Sequence, residues 1–377
     1  MNIEMGNNKI KILHISNGFC TSKVHSNLCR ALDKKVGQQT VYTYIDSIDK
    51  VGKNKFEAER TSFIYDRILN RFIRKLYPLR IWWTFYHIKH RLNPHDYNCI
   101  FATTLFSDGG VANILFKKYG IPYVVAVRAT DLTTYLKTKM YWRYGRENLL
   151  NAKYIILINK THEEKLRTLE FSRDIWGRIK DKIVIRPNGI DSYWLNHLYA
   201  KEPVDKYRIC YVGTFIPRKN ILQLVKAVDI LHQEFPKIRL DLVGSTGSTE
   251  KQIREFAKGK TYMHMYGQIK DKDKLIDIYR SNAIFAMPSQ FETFGLVYVE
   301  ALTQNLRLLY TRGTGIDGLL DNVGEAVESP TVEDIAKVLR KLIIDYEKYD
   351  GISKIDFSYF DWNIIADKYI EMFKTII

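Results

Sequence analysis

Short apolar runs alternate with segments of helical periodicity along the first half of the chain. The apolar run KIKILHIS is followed by SKVHSNLCRALDKK, in which apolar positions recur with the period of an α-helix. Further apolar runs that are each followed by polar or helix-like sequence are QQTVYTYI, YNCIFATT, YVVAVRATD and AKYIILIN. Strands that alternate with helices are typical of a parallel sheet covered by helices. The pattern therefore predicts an α/β layer.

The same rhythm starts again at RICYVGTF, after the Pro-Asn-Gly turn of DKIVIRPNGIDSYW and the charged stretch KEPVDKY. Its later helices and strands are predicted from NILQLVKAVDILHQEF, IRLDLVGS, KLIDIYRSN, AIFAMPS, GLVYVEALTQN, LRLLYTRGTG and TVEDIAKVLRKLIIDYEKY, the last capped by Thr331. Two successive α/β units predict two doubly wound domains that face one another. We place them at residues 1–195 and 196–356, with a last helix at 357–377 that packs back on the first domain.

Composition fits this picture of a two-domain globular protein. The chain has 377 residues, of which 46% are hydrophobic and 27% charged. It has no apolar run approaching the roughly 20 residues that span a bilayer, and its first residues lack a secretory pattern. We therefore expect a cytoplasmic protein. The cysteines, which have no C-x-x-C spacing, are expected to be buried, reduced thiols.

The net charge of +16 predicts an acidic partner, and one segment concentrates it. Residues 67–91, here called the aromatic–basic segment, contain Arg67, Arg71, Arg74, Lys75, Arg80, Lys89 and Arg91 among Phe72, Tyr77, Trp82, Trp83, Phe85 and Tyr86. Pro78 is predicted to break it into two helices. One interpretation is core-facing helices with basic outer faces, and the other, compatible one is a surface for peripheral contact with an anionic membrane. Nucleic acid is not expected, because no recognised binding motif accompanies the charge.

The stretch PSQFETFGLVYVEAL holds two glutamates at a predicted transition from strand to helix. In open α/β sheets ligands bind beyond the carboxyl ends of the strands, where helix N-termini favour anions. Gly295 would let the backbone approach a diphosphate closely. Glu292 and Glu300 could then accept hydrogen bonds from hydroxyl groups on either side of it, which is the form of a nucleotide sugar. The alternative is a helix with one capping and one surface glutamate.

Two other strand ends are candidates for the same ligand. In GTFIPRKN, Arg218 and Lys219 lie where they could neutralise a diphosphate leaving group, although a solvated basic loop is the alternative. In HISNGF, Gly18 follows the first strand and could let the backbone of that domain meet the ligand.

The stretches YVGTFIPRKNILQLVKAV, MHMYGQIKDKDKLIDIYRSNAIFAMPSQFETFGLVYVEAL and IRPNGID together resemble the family-four retaining glycosyltransferases. That family has the GT-B fold, in which two Rossmann-like domains face each other across a cleft. It carries two glutamates with seven residues between them, and Glu292 and Glu300 have this spacing. The family's Pro-Ser-x-x-Glu and Phe-Gly-Leu are present as PSQFE and Phe294–Leu296. The resemblance covers the second unit almost completely and the first in outline.

The resemblance implies a role for each matching residue. Glu292 would contact the donor sugar and Glu300 the ribose hydroxyls, while Lys219 and the Thr293–Leu296 backbone would hold the diphosphate. Gly267 in MYGQI matches the family's glycine near the nucleotide base. The predicted nucleotide-binding set is Gly18, Thr214, Arg218, Gly267, Thr293, Phe294, Gly295, Leu296 and Glu300. The predicted catalytic set is Glu292, Lys219, Asp131 and Arg128.

The chain departs from the family pattern in places. Thr214 stands where many members have an arginine, and we hypothesise that Arg218 supplies the missing charge. Arg128 in VVAVRATD stands where many have a histidine, and QNLRLLYT replaces a Gly-x-Pro-Val stretch. We predict that Arg128 contacts the donor sugar or a phosphate and that Asp131 binds or orients the acceptor hydroxyl. A structural ion pair between the two is the alternative.

These observations predict a retaining glycosyltransferase that moves a hexose-type sugar from a nucleotide-diphosphate donor to a hydroxyl acceptor. No cofactor or metal is expected, because the resemblance implies metal-independent chemistry and Asp271–Asp273 looks like a charged helix start. The aromatic–basic segment suggests a lipid-linked glycan acceptor at the inner face of the cell membrane, as in assembly of a bacterial surface polysaccharide. The alternatives are a GT-B nucleotide-sugar epimerase or hydrolase, and a non-enzymatic basic protein that binds membranes or nucleic acid.

Overall fold

The computed structural model describes residues 9–201 and 205–377. Residues 1–8, which belong to the N-terminal stretch without a secretory pattern, and residues 202–204 of the charged stretch KEPVDKY lie outside the described residues. The chain divides into two compact units. The first unit comprises Met1–Gly189 and Trp362–Ile377, and the second comprises Ile190–Asp361.

A parallel sheet forms the centre of the first unit, with the strand order β3-β2-β1-β4-β5-β6-β7. The strands are β1 (Lys11–Ile15), β2 (Gln38–Ile45), β3 (Thr61–Arg67), β4 (Cys99–Ala102), β5 (Tyr123–Ala126), β6 (Tyr154–Leu157) and β7 (Ile183–Ile185). Every residue of β4 and β5 is buried, which explains why these strands are continuous apolar runs rather than alternating ones.

Helices follow most of these strands, as a parallel sheet requires of its crossover connections. They are α1 (Lys23–Asp33), α2 (Arg71–Lys75), α3 (Tyr77–Arg91), α4 (Ser107–Tyr119), α5 (Ala129–Thr133), α6 (Trp142–Asn151), α7 (Lys160–Thr168), α8 (Glu170–Arg173) and α9 (Trp176–Ile179). The predicted break in the aromatic–basic segment is confirmed, because Leu76 is extended between α2 and α3. Pro78 lies in the first turn of α3, where its missing N–H would have no partner in the helix anyway.

The second unit repeats the arrangement with the strand order β10-β9-β8-β11-β12-β13, again all parallel. Its strands are β8 (Arg208–Val212), β9 (Arg239–Val243), β10 (Met263–Gly267), β11 (Ile284–Ala286), β12 (Arg307–Thr311) and β13 (Gly324–Val327). Its helices are α10 (Ser192–Asn196), α11 (Ile221–Glu234), α12 (Glu250–Ala257), α13 (Lys272–Arg280), α14 (Leu296–Thr303) and α15 (Val332–Ile344). Thr331 caps α15 by accepting from the Asp334 N–H, as expected.

The last helix, α16 (Trp362–Lys374), returns to the first unit. Its buried face joins the core beside β1 and β4, where Tyr369 and Phe373 each pack on Phe101 with ring centroids 5.5 and 6.5 Å apart. Burial of this apolar face accounts for a helix that lies far in sequence from the sheet it covers.

The boundaries between the units lie a few residues from those predicted from the sequence. The prediction placed them at 195/196 and 356/357, whereas the first unit ends at Gly189 and resumes at Trp362. Trp194 of α10 is buried against Tyr279 of α13, with ring centroids 5.5 Å apart, which ties α10 to the second unit. Phe360 packs on Phe294 in the same unit, so the first unit resumes only at Trp362. The packing of these aromatic residues sets the boundaries between the units. The periodicity of the strands in the sequence does not reveal such packing.

The parallel α/β architecture predicted for both units is confirmed. No helix in residues 9–201 and 205–377 is long and apolar enough to cross a membrane. All four cysteines are buried, as expected, and none is bonded to another.

Candidate functional site

Two loops meet at the carboxyl edge of the second sheet. The first loop follows β8 and contains a 3₁₀ turn at Pro217–Lys219, and the second runs from β11 to the start of α14. Strands β8 and β11 are hydrogen-bonded neighbours, so the loops that leave their carboxyl ends are adjacent. The backbone N–H of Gln290 donates to the carbonyl oxygen of Arg218 at 2.8 Å, which joins the loops directly.

Basic residues of the first loop surround the glutamate of the second. The Lys219 ammonium and the Glu292 carboxylate form an ion pair, and each side chain is only 12% exposed. Arg218 Nη1 lies 3.8 Å from the same carboxylate oxygen and donates to the Phe291 carbonyl at 3.2 Å. Half of the Arg218 side chain, 51%, remains exposed. The structure thus brings together the acidic and basic residues that the sequence analysis assigned to the donor.

Further contacts hold Glu292 in place. The Thr293 N–H donates to Glu292 Oε1 at 3.2 Å, and the Gly315 N–H donates to the Glu292 carbonyl at 2.9 Å. The Tyr298 hydroxyl reaches back from α14 to the Met287 carbonyl at 2.6 Å. Gly315 belongs to the turn RGTGIDG after β12, which the sequence analysis left without a role. The glycines of this stretch predict a turn. The contact of Gly315 with Glu292 arises because β11 and β12 are neighbouring strands, which the sequence does not show.

Gly295 forms the corner between the loop and helix α14. Its φ of 73° is in the left-handed region, and an added Cβ would lie 2.6 Å from the Tyr298 ring. Both constraints require glycine here. Helix α14 begins at Leu296, and the ring of Phe294 is buried, so these two residues and the partly exposed Thr293 would serve a ligand through their backbone.

Glu300 lies on α14 in an environment unlike that of Glu292. Its side chain keeps some contact with solvent, but its surroundings are dense, and burial raises its pKa to about 7. The negative charge of Asp191 contributes to this rise in pKa, whereas Lys272 opposes it. Asp191 and Lys272 are themselves paired at 2.7 Å. Glu300 therefore titrates closer to neutral pH than an exposed glutamate does.

The remaining predicted nucleotide-binding residues of this unit lie at the ends of β8 and β10. The carbonyl of Thr214 accepts from the Tyr211 hydroxyl at 3.0 Å, and Gly267 has a φ of 73° with its carbonyl accepting from the Gly244 N–H at 2.8 Å. An added Cβ at Gly244 would lie 1.8 Å from the Gly213 carbonyl. The loop after β9, which contains the glycines of GSTGST, therefore belongs to this edge, although the sequence analysis missed it.

The Asp-x-Asp of KDKDK is a helix start, as predicted. Asp271 caps α13 by accepting from the backbone N–H groups of Asp273 and Lys274 at 3.0 and 3.4 Å. Asp273 is paired with the Tyr193 hydroxyl. Within residues 9–201 and 205–377, no group of three or more His, Cys, Asp or Glu residues could hold a metal ion.

The other predicted site residues lie at the carboxyl edge of the first sheet. Gly18 follows β1, and its carbonyl accepts from the N–H groups of Thr21 and Ser22 at 3.0 and 3.1 Å. Arg128 follows β5 and donates from Nε to the Thr103 carbonyl at 3.2 Å. The predicted site residues therefore form two groups, one in each unit.

Asp131 is fully buried, which disagrees with its predicted contact with an acceptor hydroxyl. Its carboxylate accepts from the backbone N–H groups of Leu105, Phe106 and Arg128 at 3.0, 3.2 and 2.8 Å. Burial raises its pKa to about 6, which those hydrogen bonds oppose. The carboxylate thus fixes the loop after β4 against the start of α5. The alternative, an ion pair between the Arg128 guanidinium and the Asp131 carboxylate, is not seen either. The carboxylate instead accepts from the backbone N–H of Arg128.

Comparison with known proteins shows which family the second unit resembles. Residues 199–355, nearly all of the second unit, match the family model for Glycosyl transferases group 1. A probable sucrose-phosphate synthase of Thermosipho melanesiensis is 27% identical over 301 residues, which cover 72% of this chain and 69% of that protein. The capsular polysaccharide biosynthesis glycosyltransferase CapM of Staphylococcus aureus is 27% identical over 242 residues, which cover 59% of this chain and 61% of CapM.

Solved structures give the same result for the fold. Crystal structures of Anabaena Alr3699/HepE in complex with UDP, with UDP and glucose, and with UDP-glucose are each 16% identical and cover 97% of this chain. Their TM-scores are 0.69, 0.65 and 0.60, and the match covers 100%, 100% and 97% of their chains. The second unit therefore resembles the group 1 glycosyltransferases, and the chain has the GT-B fold that its sequence resemblance implies.

Proposed function

We propose that the protein is a retaining, metal-independent glycosyltransferase that moves a hexose-type sugar from a nucleotide-diphosphate donor to a hydroxyl acceptor. The observation that carries this proposal is the group of Lys219, Arg218 and Glu292 at the carboxyl edge of the second sheet, inside the residues that match the family. A UDP-sugar is the first donor to test, because HepE was crystallised with UDP and UDP-glucose.

Positive charge from the protein would stabilise the leaving group. As the bond between the sugar C1 and the phosphate oxygen breaks, its electron pair stays on the departing diphosphate, where charge accumulates next to Lys219. Arg218 lies beside Lys219 and is half exposed, which supports the hypothesis that it replaces the charge missing at Thr214. The backbone at Gly295 and the start of α14 would add N–H donors on the same side.

The acceptor hydroxyl would attack from the face that the leaving group vacates, which retains the configuration at C1. A bond forms between the acceptor oxygen and C1, and the hydroxyl proton passes to the departing phosphate oxygen. Glu292 would position the donor sugar by accepting hydrogen bonds from its hydroxyls, and Glu300 would accept from the ribose. Asp131 is assigned here as a positioning residue of the first unit, since its oxygens are occupied by backbone N–H groups.

The acceptor is proposed to be a lipid-linked glycan in surface polysaccharide assembly at the inner face of the cell membrane, a role supported by the similarity to CapM. Helix α3 buries Tyr77, Ile81 and Phe85, as the core-facing interpretation expects. The exposed apolar residues of the segment are Phe72, Leu76, Leu79, Trp82 and Tyr86. Together with the neighbouring arginines and lysines they support peripheral contact with an anionic membrane.

The donor is tested by thermal unfolding with UDP-, GDP- and ADP-sugars, since a ligand that binds only the folded state raises Tm. Turnover with the stabilising donor is then followed with added glycan or lipid-linked acceptors. Transfer of the sugar to an acceptor is the expected result. Epimerised sugar, or free sugar and nucleotide with no dependence on an acceptor, would instead indicate an epimerase or a hydrolase. Absence of any nucleotide-sugar binding would favour a non-enzymatic basic protein.

A further inference from the structure

Helices α6 and α9 of the first unit border a surface cavity of about 630 Å³ that four basic side chains line. Three of them belong to α6 or the turn before it, and the fourth belongs to α9. They are Lys139, Arg143, Arg146 and Arg178. Arg143 and Arg146 are three residues apart, so they lie on one face of α6. The cavity therefore gathers positive charge from two helices that are far apart in sequence.

Two of these cations have acidic partners in α8 and just after it. The Lys139 ammonium lies 2.9 Å from both carboxylate oxygens of Glu170. Arg146 donates from Nε to the Phe171 carbonyl at 2.6 Å, and its Nη2 lies 3.3 Å from an oxygen of Asp174. These contacts neutralise Lys139 and Arg146 and fix them at the wall of the cavity.

Arg143 and Arg178 have no such partner. Both side chains are exposed, and in the part of the chain that the structure describes neither guanidinium has a carboxylate oxygen within 4.0 Å. Glu147, the acidic residue of the lining, is paired with Lys117 instead. One cavity is thus lined by two guanidinium charges that the described side chains do not neutralise.

The surplus of positive charge extends to Lys182, which follows α9. Its ammonium donates to the Leu150 carbonyl at the end of α6, at 2.6 Å. Burial lowers the pKa of Lys182, and the positive charges of Arg178 and Lys153 contribute to this lowering. Like charges that are held close together repel one another, so a bound anion would stabilise this region.

The aromatic residue of the lining, Trp142, is in contact with cations of the protein itself. The Lys139 ammonium lies 4.9 Å from the ring centroid and the Arg146 guanidinium carbon 5.9 Å. The indole N–H donates to the Leu136 carbonyl at 2.9 Å, which fixes the ring. Single-stranded nucleic acids bind by stacking bases on free aromatic rings. The occupied ring therefore favours an anionic group without a base.

We propose that the cavity between α6 and α9 is a binding site for a phosphoryl group, with Arg143 and Arg178 as its charged ligands. A phosphoryl group carries a charge of about −1.5 to −2 at pH 7, which two guanidiniums match. Each guanidinium can make paired N–H···O bonds to its oxygens. Soluble phosphate esters and phospholipid headgroups share this chemistry. The site lies entirely in the first unit and does not depend on the proposed function.

The first arm of the test is isothermal titration of the full-length protein with pyrophosphate, in excess UDP to occupy the proposed donor site. We expect pyrophosphate to bind. Arg143→Gln and Arg178→Gln should each raise its Kd by at least about fivefold, because each removes charge-assisted hydrogen bonds. Arg143→Lys should recover part of the loss, since lysine keeps the charge but not the fork of donors. Both arginines are exposed, so these variants should fold like the unaltered protein.

Arg30→Gln is the matched control. Arg30 is an exposed arginine of α1, which packs on the opposite face of the first sheet from α6. Its substitution removes the same charge from the same unit and should leave the Kd for pyrophosphate unchanged.

Vesicles of phosphatidic acid in phosphatidylcholine form the second arm and separate a lipid-borne phosphoryl group from a soluble one. Binding in either arm that Arg143→Gln and Arg178→Gln weaken and Arg30→Gln does not supports the proposal. Binding that the two substitutions leave unchanged, or that Arg30→Gln weakens equally, would overturn it, as would a lack of binding in both arms. Tighter binding of a short single-stranded RNA than of pyrophosphate, lost in the same variants, would overturn it in favour of nucleic acid. Failure to bind UDP would count against the proposed donor site alone, because that site lies in the second unit.

Discussion

Lys219 and Glu292, which are 73 residues apart in sequence, form an ion pair in which each side chain is 12% exposed. The lysine comes from the loop after β8 and the glutamate from the loop after β11, and strand adjacency joins them. The sequence resemblance assigns the first to the donor diphosphate and the second to the donor sugar. A bound diphosphate would therefore compete with Glu292 for the Lys219 ammonium.

The pair should be visible as an energetic coupling. Lys219→Met and Glu292→Gln should each lower the free energy of unfolding by about 1–3 kcal/mol, because each leaves a partly buried polar partner unsatisfied. The double variant should be more stable than the sum of the single losses predicts. Urea unfolding measures the cycle, with Lys226→Met, an exposed lysine of α11, as the control. Strict additivity would show that the two side chains are not coupled in solution.

Gly295→Ala should destabilise the protein by about 2–4 kcal/mol, because it adds a contact with the Tyr298 ring to the cost of a left-handed backbone. Gly259→Ala is the matched control, since Gly259 has a φ of 79° but open space around an added Cβ. That variant should lose only about 1 kcal/mol. Chemical denaturation of both variants gives the comparison. Equal losses would mean that the Tyr298 ring moves aside and that packing does not require glycine at 295.

Glu300 should make stability fall as the pH rises from 4.5 to 7. Its pKa is raised from 4.5 to about 7, so between these values the folded protein holds a proton that the unfolded chain releases. Glu300→Gln should remove this fall and stabilise the protein at pH 8 by up to about 3 kcal/mol. Unfolding free energies measured at pH 5 and pH 8 test the difference. Parallel profiles for the two proteins would contradict a raised pKa.

The same ionisation should act on nucleotide binding. An ionised Glu300 accepts two ribose hydroxyl hydrogen bonds better than a protonated one, so the Kd for UDP should fall between pH 6 and pH 8. Glu300→Gln should flatten that dependence. Titrations of both proteins with UDP across this pH range provide the measurement. If the Kd of the variant changes with pH as much as that of the unaltered protein, Glu300 does not bind the ribose.

Membrane contact should depend on Trp82 more than on Trp83. Trp82 is 52% exposed, whereas Trp83 is partly buried against the core, so substitution of Trp83 would disturb folding. Trp82→Ala combined with Phe72→Ala should weaken binding to anionic vesicles by about tenfold or more, since each ring loses about 1–3 kcal/mol of apolar burial. Met140→Ala, which removes an even more exposed apolar side chain of the first unit, should leave vesicle binding unchanged. Sedimentation with phosphatidylglycerol vesicles distinguishes the outcomes, and equal binding by all variants would exclude this surface.

The parts of the structure that sequence predicts are those set by local pattern. Apolar periodicity indicates both sheets, and PSQFETFGL marks a loop that leads into a helix, because small residues, a glycine and an apolar helix face follow one another. Which face of α3 is turned towards the core is harder to predict. Trp82 and Trp83 are adjacent, and only the helix's contact with the core decides that the first is exposed and the second half-buried.

The parts that sequence could not predict depend on contacts between distant segments. Asp131 follows a strand like a ligand-binding acid, but its carboxylate is used by the N–H groups of Leu105 and Phe106 from another loop. Gly315 supports Glu292 only because β12 lies beside β11.

Sugar transfer by variants of the paired residues is the most direct test of the proposed chemistry. With the nucleotide sugar that stabilises the protein, Glu292→Ala and Lys219→Ala should each lower kcat by at least about 100-fold, as loss of a group that stabilises the reacting charge does. UDP binding should weaken in Lys219→Ala and persist in Glu292→Ala, and Lys226→Ala should behave as the unaltered protein. Turnover of both site variants within about twofold of the unaltered protein would contradict the account.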